Sequence, residues 1–266
     1  SVFMDGQELK ELLASESGRA QAVQQIVQEL SRVYDKTGGN PYEGVTIDFE
    51  GLRASQKEAF SDFLRQLQAA LQKLDKQLFV CVPPVLTSST YYDGYDCQVI
   101  GELADKVILM AYGYGPQNMN GFTGTEYYKT AATAPIASVY TALRQAASEI
   151  PPAKLLLGFS VINTAWKIDE NGKLLSETPV YPSTETVIKR LSQSDTERGW
   201  SQTYQQSYAI YRTEDGGRYF LWYQDDASVQ QALSAARLLG VNGVSIWRLG
   251  TIPTANTAWT WNGLLA

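Results

Sequence analysis

The sequence predicts an α/β protein built on a parallel sheet or barrel, and three observations carry that expectation. Short, largely apolar runs recur at residues 45–50, 78–82, 107–112, 155–161 and 243–247. Runs of this kind suit parallel strands covered on both faces. Between them lie stretches with apolar residues at helical spacing, and strand and helix taking turns is the pattern of a parallel α/β sheet.

Taken in order, residues 2–4 are the one candidate strand before the first helix. Residues 20–34 then place Val23, Ile26, Val27, Leu30, Val33 and Tyr34 at helical spacing. After the run at 45–50, residues 57–74 repeat the pattern with Phe60, Phe63, Leu64, Leu67, Leu71 and Leu74. Further helices fit residues 135–149, 184–193 and 228–239. Residues 200–223 depart from the alternation. Tyr204, Tyr208, Ile210 and Tyr211 precede Glu214-Asp215-Gly216-Gly217, and Tyr219, Leu221 and Trp222 follow, which reads as a hairpin with a tight turn. It falls between the last two parallel strands, where an inserted lobe would sit, and Asp169-Glu170-Asn171-Gly172 is a second turn near the start of that lobe. The expected organisation is one catalytic domain over 1–266, with a barrel portion at 1–162 and 224–266 and an α+β insertion at about 163–223.

Composition narrows the chemistry. A net charge of −6 argues against a surface that tracks phosphates, so no nucleic-acid partner is expected. No run of about 18 apolar residues suggests a membrane-spanning helix. The chain has 266 residues and no histidine, which removes Ser-His-Asp and Cys-His catalysis and histidine-bearing zinc sites. Proton chemistry must then rest on Asp, Glu, Tyr, Lys or Cys. Cys81 lies inside an apolar run, so free thiols are preferred over a Cys81–Cys97 bridge. The first residue is Ser1 and no signal peptide is visible, so the chain reads as a processed piece of a longer precursor with upstream domains.

Gly44-Val45-Thr46-Ile47-Asp48-Phe49-Glu50 is where the chemistry is expected. Side chains alternate across a strand, so Val45, Ile47 and Phe49 face one way and Thr46, Asp48 and Glu50 the other. Asp48 and Glu50 then have α-carbons roughly 6.6 Å apart and project into the same space. A carboxylate so close raises the proton affinity of its neighbour and keeps an acid protonated nearer neutral pH. The plain alternative for Glu50 is a strand-end carboxylate paired with a lysine or a backbone N–H.

Glu43-Gly44-Val45-Thr46-Ile47-Asp48-Phe49-Glu50 resembles the Asp-Gly-x-Asp-x-Asp-x-Glu signature of glycoside hydrolase family 18, and is most similar to its bacterial spore-cortex and cell-wall N-acetylglucosaminidase branch. Leu109-Met110-Ala111-Tyr112 resembles the family's Met-x-Tyr-Asp strand, and residues 95–105 the connection before it. Leu221-Trp222-Tyr223 and Gly243-Val244-Ser245-Ile246-Trp247-Arg248-Leu249-Gly250 resemble its last helix and strand. The resemblance implies a (β/α)8 TIM-type barrel with an α+β insertion before the last strand. Residues 2–4 align with the third strand, so the first two βα units are missing from this chain.

The resemblance also implies a retaining, substrate-assisted glycosidase acting on N-acetylglucosamine-containing glycan, peptidoglycan in preference to chitin, outside the cell or at its envelope and without a cofactor or metal. Glu50 donates the proton, Asp48 holds the acetamido N–H, and Tyr112 contacts the same group. Trp247, Met110, Thr46 and Tyr114 bind substrate, with Trp247 as the floor under the cleaved sugar. Trp166, Trp222 and Tyr223 either line the cleft or pack in the core. Thr46 stands where the family has an aspartate, Gly113 where an aspartate follows the tyrosine, and Ile162-Asn163 where a Tyr-Gly pair is common. These departures support the rival reading, a catalytically inactive chitinase-like glycan-binding protein; the intact Glu50 supports the enzyme. Asp225-Asp226 is read as a helix start and not a metal site.

Overall fold

The computed structural model describes residues 1–36, 38–85, 92–248 and 251. Leu249 and Gly250, part of the last-strand resemblance, lie outside the described residues, as do 252–266 of the expected barrel portion. A six-stranded sheet has the order β1 (Val2–Met4), β2 (Gly44–Phe49), β3 (Gln77–Val82), β4 (Lys106–Leu109), β5 (Leu155–Ser160) and β10 (Gly243–Trp247). Successive pairs from β1 through β5 run parallel. Among the described residues this sheet has six strands and does not close on itself, so β1 and β10 are its edges.

The chain divides into two compact units, the first comprising Ser1–Met110, Thr141–Leu157 and Leu239–Gly243. Its core forms where the apolar face of β2 meets α3 (Lys57–Gln72). The Phe49 ring stacks on Phe63 at 5.3 Å and leans on Phe60 at 5.8 Å, while Leu64, Leu67 and Leu71 complete the buried helix face. Removing these groups from water is the main favourable term in forming the unit. The Tyr95 hydroxyl then donates to the Phe49 carbonyl at 2.8 Å, tying the end of β2 to the segment before α4 (Cys97–Leu103).

Three local expectations are corrected. The helix expected over 20–34 is α2 (Glu16–Leu30), which leaves Val33 and Tyr34 outside it, and an unexpected helix α1 (Gly6–Ala14) precedes it, the two divided at Ser15, whose hydroxyl accepts from the Gly18 N–H at 3.1 Å. Only Leu9 and Leu13 are buried on α1, too few apolar positions to stand out as periodicity. The connection expected over 95–105 contains α4, begun by Asp96 accepting from the Val99 N–H at 3.1 Å. The strand expected over 107–112 ends at Leu109. The Met110 N–H still reaches the Val82 carbonyl at 3.0 Å, and Gly113 then turns the chain with φ +73°.

Close backbone approach makes Gly44 a stability determinant. A Cβ there would meet the Gln77 carbonyl oxygen at 2.2 Å and its backbone nitrogen at 2.9 Å. Gly44→Ala must push β2 off β3, and is expected to destabilise the protein by about 1–3 kcal/mol. Thermal unfolding checks this, and an unchanged midpoint would show that the approach is not a constraint.

The second unit comprises Ala111–Tyr140, Gly158–Leu238 and Val244–Ala266. It holds an antiparallel sheet of β6 (Thr164–Ile168), β7 (Glu197–Ser201), β8 (Gln206–Arg212) and β9 (Arg218–Tyr223), in the order β6-β9-β8-β7. Period-2 alternation gives this sheet two dry faces. Phe220 and Trp222 pack with Trp166, Tyr128 and Met119 on one face. Leu221 and Tyr223 meet Val187 and Leu191 of α6 (Thr184–Leu191) on the other. Trp166, Trp222 and Tyr223 are therefore core residues, and the Trp222 indole N–H is satisfied by the Tyr128 carbonyl at 2.9 Å. β8 and β9 form the expected hairpin around 213–217. Further α-helices among the described residues are α5 (Ile136–Glu149) and, in the second unit, α7 (Asp226–Leu238). Asp225 accepts from the Ser228 N–H at 3.0 Å, so the acidic pair starts α7 as expected.

Candidate active site

In the first unit the two acids stand at the C-terminal end of β2. The Glu50 N–H donates to the Met4 carbonyl at 2.9 Å, extending the β1–β2 ladder by one residue, and Gly51 turns away at φ +72°. Glu50 is thereby left exposed at the strand end while Asp48, one alternation earlier, is only 7% exposed. The register sets Phe3 of β1 opposite Asp48, and the next step beyond Ile47–Val80 sets Cys81 of β3 on its other side. Asp48 thus lies in a row between a phenyl ring and a thiol.

That setting controls its charge. Burial pushes the Asp48 carboxyl above its ordinary value, opposed by a hydrogen bond from the Cys81 thiol. Glu50 is also raised, first by partial burial, then by the charge of Asp48 and of Asp5. Asp48 Oδ1 is buried without a hydrogen-bond partner among the described residues. An orphaned buried acceptor is costly unless a ligand donor meets it. Thr46, two residues before Asp48 on β2, lies on the same face of the strand. Met110 continues the backbone ladder beyond β4. Both cysteines are free thiols.

The second unit holds the remaining expected residues. Tyr112 lines a cleft of about 420 Å³ with Gln117, Ser160, Ile162, Tyr181 and Gln224. Trp247, at the end of β10, lines one of about 570 Å³ with Ile162, Asn163, Tyr181, Glu185 and Arg248. Ile162 and Tyr181 border both. Trp247 is 43% exposed, and its carbonyl accepts from the Val161 N–H at 3.1 Å, so its backbone is held while its ring meets solvent. Asn163 donates to the Val161 and Pro182 carbonyls, and its buried Oδ1 has no partner among the described residues. Tyr114 lines neither cleft; its N–H bonds the Thr133 carbonyl at 3.0 Å.

Four contributors escaped the sequence reading. Phe3 and Tyr181 are 54% and 56% exposed, and neither belongs to a periodic run. Cys81 looked like strand filling, and Arg248 carried no motif of its own. Only the register and the loop path give these residues their places. No group of three or more His, Cys, Asp or Glu side chains among the described residues could hold a metal ion.

A model of glycosyl hydrolases family 18 matches residues 4–251. The chain belongs to this family. Among its relatives, the cortical fragment-lytic enzyme of Bacillus subtilis (strain 168) is 25% identical over 243 residues, covering 90% of this chain and 52% of that protein. The family 18 chain thus spans about half the length of the curated relatives it matches. In structure it resembles the spore cortex-lytic enzyme SleL of Bacillus megaterium QM B1551, with TM-score 0.78, 22% identity, and coverage of 99% of this chain and 58% of that one. A family 18 N-acetylglucosaminidase from Paenibacillus barengoltzii gives TM-score 0.72, 19% identity, and coverage of 98% and 78%. These likenesses establish a TIM-barrel-like α/β fold. In such folds the catalytic side chains stand at the C-terminal ends of strands, the position that Glu50 holds on β2.

Proposed function

We propose that this family 18 chain is a retaining, substrate-assisted glycosidase that hydrolyses N-acetylglucosamine-containing glycan. The observation that carries the reading is an exposed Glu50, its carboxyl raised above the ordinary value, beside a buried Asp48 whose Oδ1 has no donor among the described residues. The substrate's acetamido N–H is a donor of the right kind for that oxygen. Held by Asp48, the acetamido oxygen attacks the anomeric carbon while Glu50 gives its proton to the departing glycosidic oxygen. The positive charge that forms is an oxazolinium ion, stabilised by the Asp48 carboxylate. Water then opens this intermediate as the Glu50 carboxylate takes a proton from it, and two displacements leave the configuration retained.

Within the second unit Tyr112 lines its cleft and Trp247 offers its exposed face to a sugar ring, and Thr46 and Met110 are the substrate-binding candidates of the first unit. Tyr181 adds a second exposed ring beside Trp247. Peptidoglycan is the favoured substrate, supported by a relative named as lytic for cortical fragments. Action on that polymer places the protein outside the cell or at its envelope. The remaining two βα units of an eight-stranded barrel would pack beside β1. Its open edge and a groove of about 450 Å³, lined by Val2, Met4, Leu12, Ile26 and Phe49, support that position.

The test is to incubate the protein with spore-cortex glycan and with N-acetylglucosamine oligomers, and to follow reducing ends and anomeric configuration by NMR. Retained β-configuration is expected. Trp247→Ala should raise KM roughly tenfold with a smaller change in kcat, the size expected from losing an aromatic contact and its apolar area. Binding without turnover of either glycan would favour the lectin and end the hydrolase reading.

A further inference from the structure

We infer that Cys81 is a positioning residue for Asp48: its thiol donates a hydrogen bond to one carboxylate oxygen and leaves Oδ1 turned toward the substrate's acetamido N–H. The substrate half of this inference rests on the proposed role of Asp48; the thiol–carboxylate contact does not. Three observations support it. The β2–β3 register, one step beyond Ile47–Val80, puts positions 48 and 81 side by side on the same face of the parallel sheet. Both side chains are 7% exposed, so water does not compete for the bond. The shift of the Asp48 carboxyl carries a lowering contribution from the neighbouring Cys81 thiol, and Oδ1 remains without a partner among the described residues.

A thiol suits this task. It is a weak donor with little acceptor strength, so it steers a carboxylate without neutralising it. Burial, followed by the charge of Asp48, pushes the Cys81 thiol far above its ordinary value, so it keeps its proton and remains a donor. The titratable groups facing Asp48 are Cys81 on β3 and Glu50 beyond it on its own strand; Asp5 acts on Glu50. The thiol bond favours the ionised form of Asp48. Removing it raises the pH at which Asp48 takes a proton, so the acid limb of the pH–activity profile must move to higher pH.

Two readouts decide the matter. Infrared spectra of the S–H stretch are recorded in a Cys97→Ala background, where Cys81 is the remaining thiol. A band lowered by hydrogen bonding that moves up in Asp48→Ala is the expected result; a free-thiol band indifferent to that change overturns the contact. For kinetics, Cys81→Ala is expected to lower kcat about tenfold and raise the acid limb, and Cys81→Ser, which keeps a donor, to recover most of both. An unchanged limb in Cys81→Ala, or a Cys81→Ser as impaired as Cys81→Ala, overturns the positioning role even if both variants melt normally. A parent protein without turnover would sink the hydrolase reading alone, because the infrared arm still decides the contact.

Discussion

Glu50→Gln is expected to remove turnover of N-acetylglucosamine glycan by about a thousandfold or more while leaving glycan binding in place. The amide keeps the size and polarity of the side chain but has no acidic proton for the leaving oxygen, and general acid catalysis accounts for about 10²–10⁴ in rate. The pH dependence of the parent carries the same signature. Glu50 must be protonated to act, and partial burial followed by the charge of Asp48 lifts its carboxyl above the ordinary 4.5. The basic limb of kcat/KM is therefore expected above pH 4.5 and should vanish from the residual activity of the variant. Rates measured on defined oligomers across pH check both points. A Glu50→Gln protein that turns over at the parental rate would remove Glu50 as the acid.

The second large effect belongs to Asp48→Asn, for which a loss of about a hundredfold or more in kcat is expected, with stability at neutral pH no lower than the parent's. The catalytic loss follows because an amide cannot balance the positive charge of the oxazolinium-like state, a stabilisation that is large in a desolvated site. The stability expectation follows from the sign of the shift. Burial raises the Asp48 carboxyl in the folded state above the ordinary 3.8. The native protein then holds a proton that the unfolded chain has already lost, so stability falls as pH rises from about 3.8 through the folded value. Above the folded value the ionised carboxylate is a burden on the fold, and the neutral asparagine removes it. Melting at pH 4 and pH 7 checks this: the variant should gain on the parent as pH rises. A variant that melts well below the parent at pH 7 would mean that Asp48 is held for structure.

Much of this was legible in the residues alone. The alternation of β2 placed Asp48 and Glu50 on one face and Phe49 on the other, and in the structure Phe49 packs on α3 while Asp48 turns to the opposite side. Long amphipathic helices such as α3 declared themselves because six periodic apolar positions outweigh local noise. Short elements did not. α1 and α4 bury two residues each; α1 ends at Ser15, which caps the start of α2, and Asp96 caps the start of α4. Trp166 and Trp222 could have been cleft or core by sequence. Their burial against Tyr128 and Phe220 makes them core, a matter of which face of β9 meets which neighbour.

The order of strands and helices, the absence of histidine chemistry and the pairing of two acids on one strand were determined by the sequence, because each follows from the period of a single element or from composition. What stands beside those acids was decided by tertiary structure alone. Cys81 and Phe3 flank Asp48 through strand register, and Tyr181 comes to Trp247 through the path of a loop. Register is set by the whole sheet packing on its helices, and residues far apart in the chain carry no local pattern that announces their meeting.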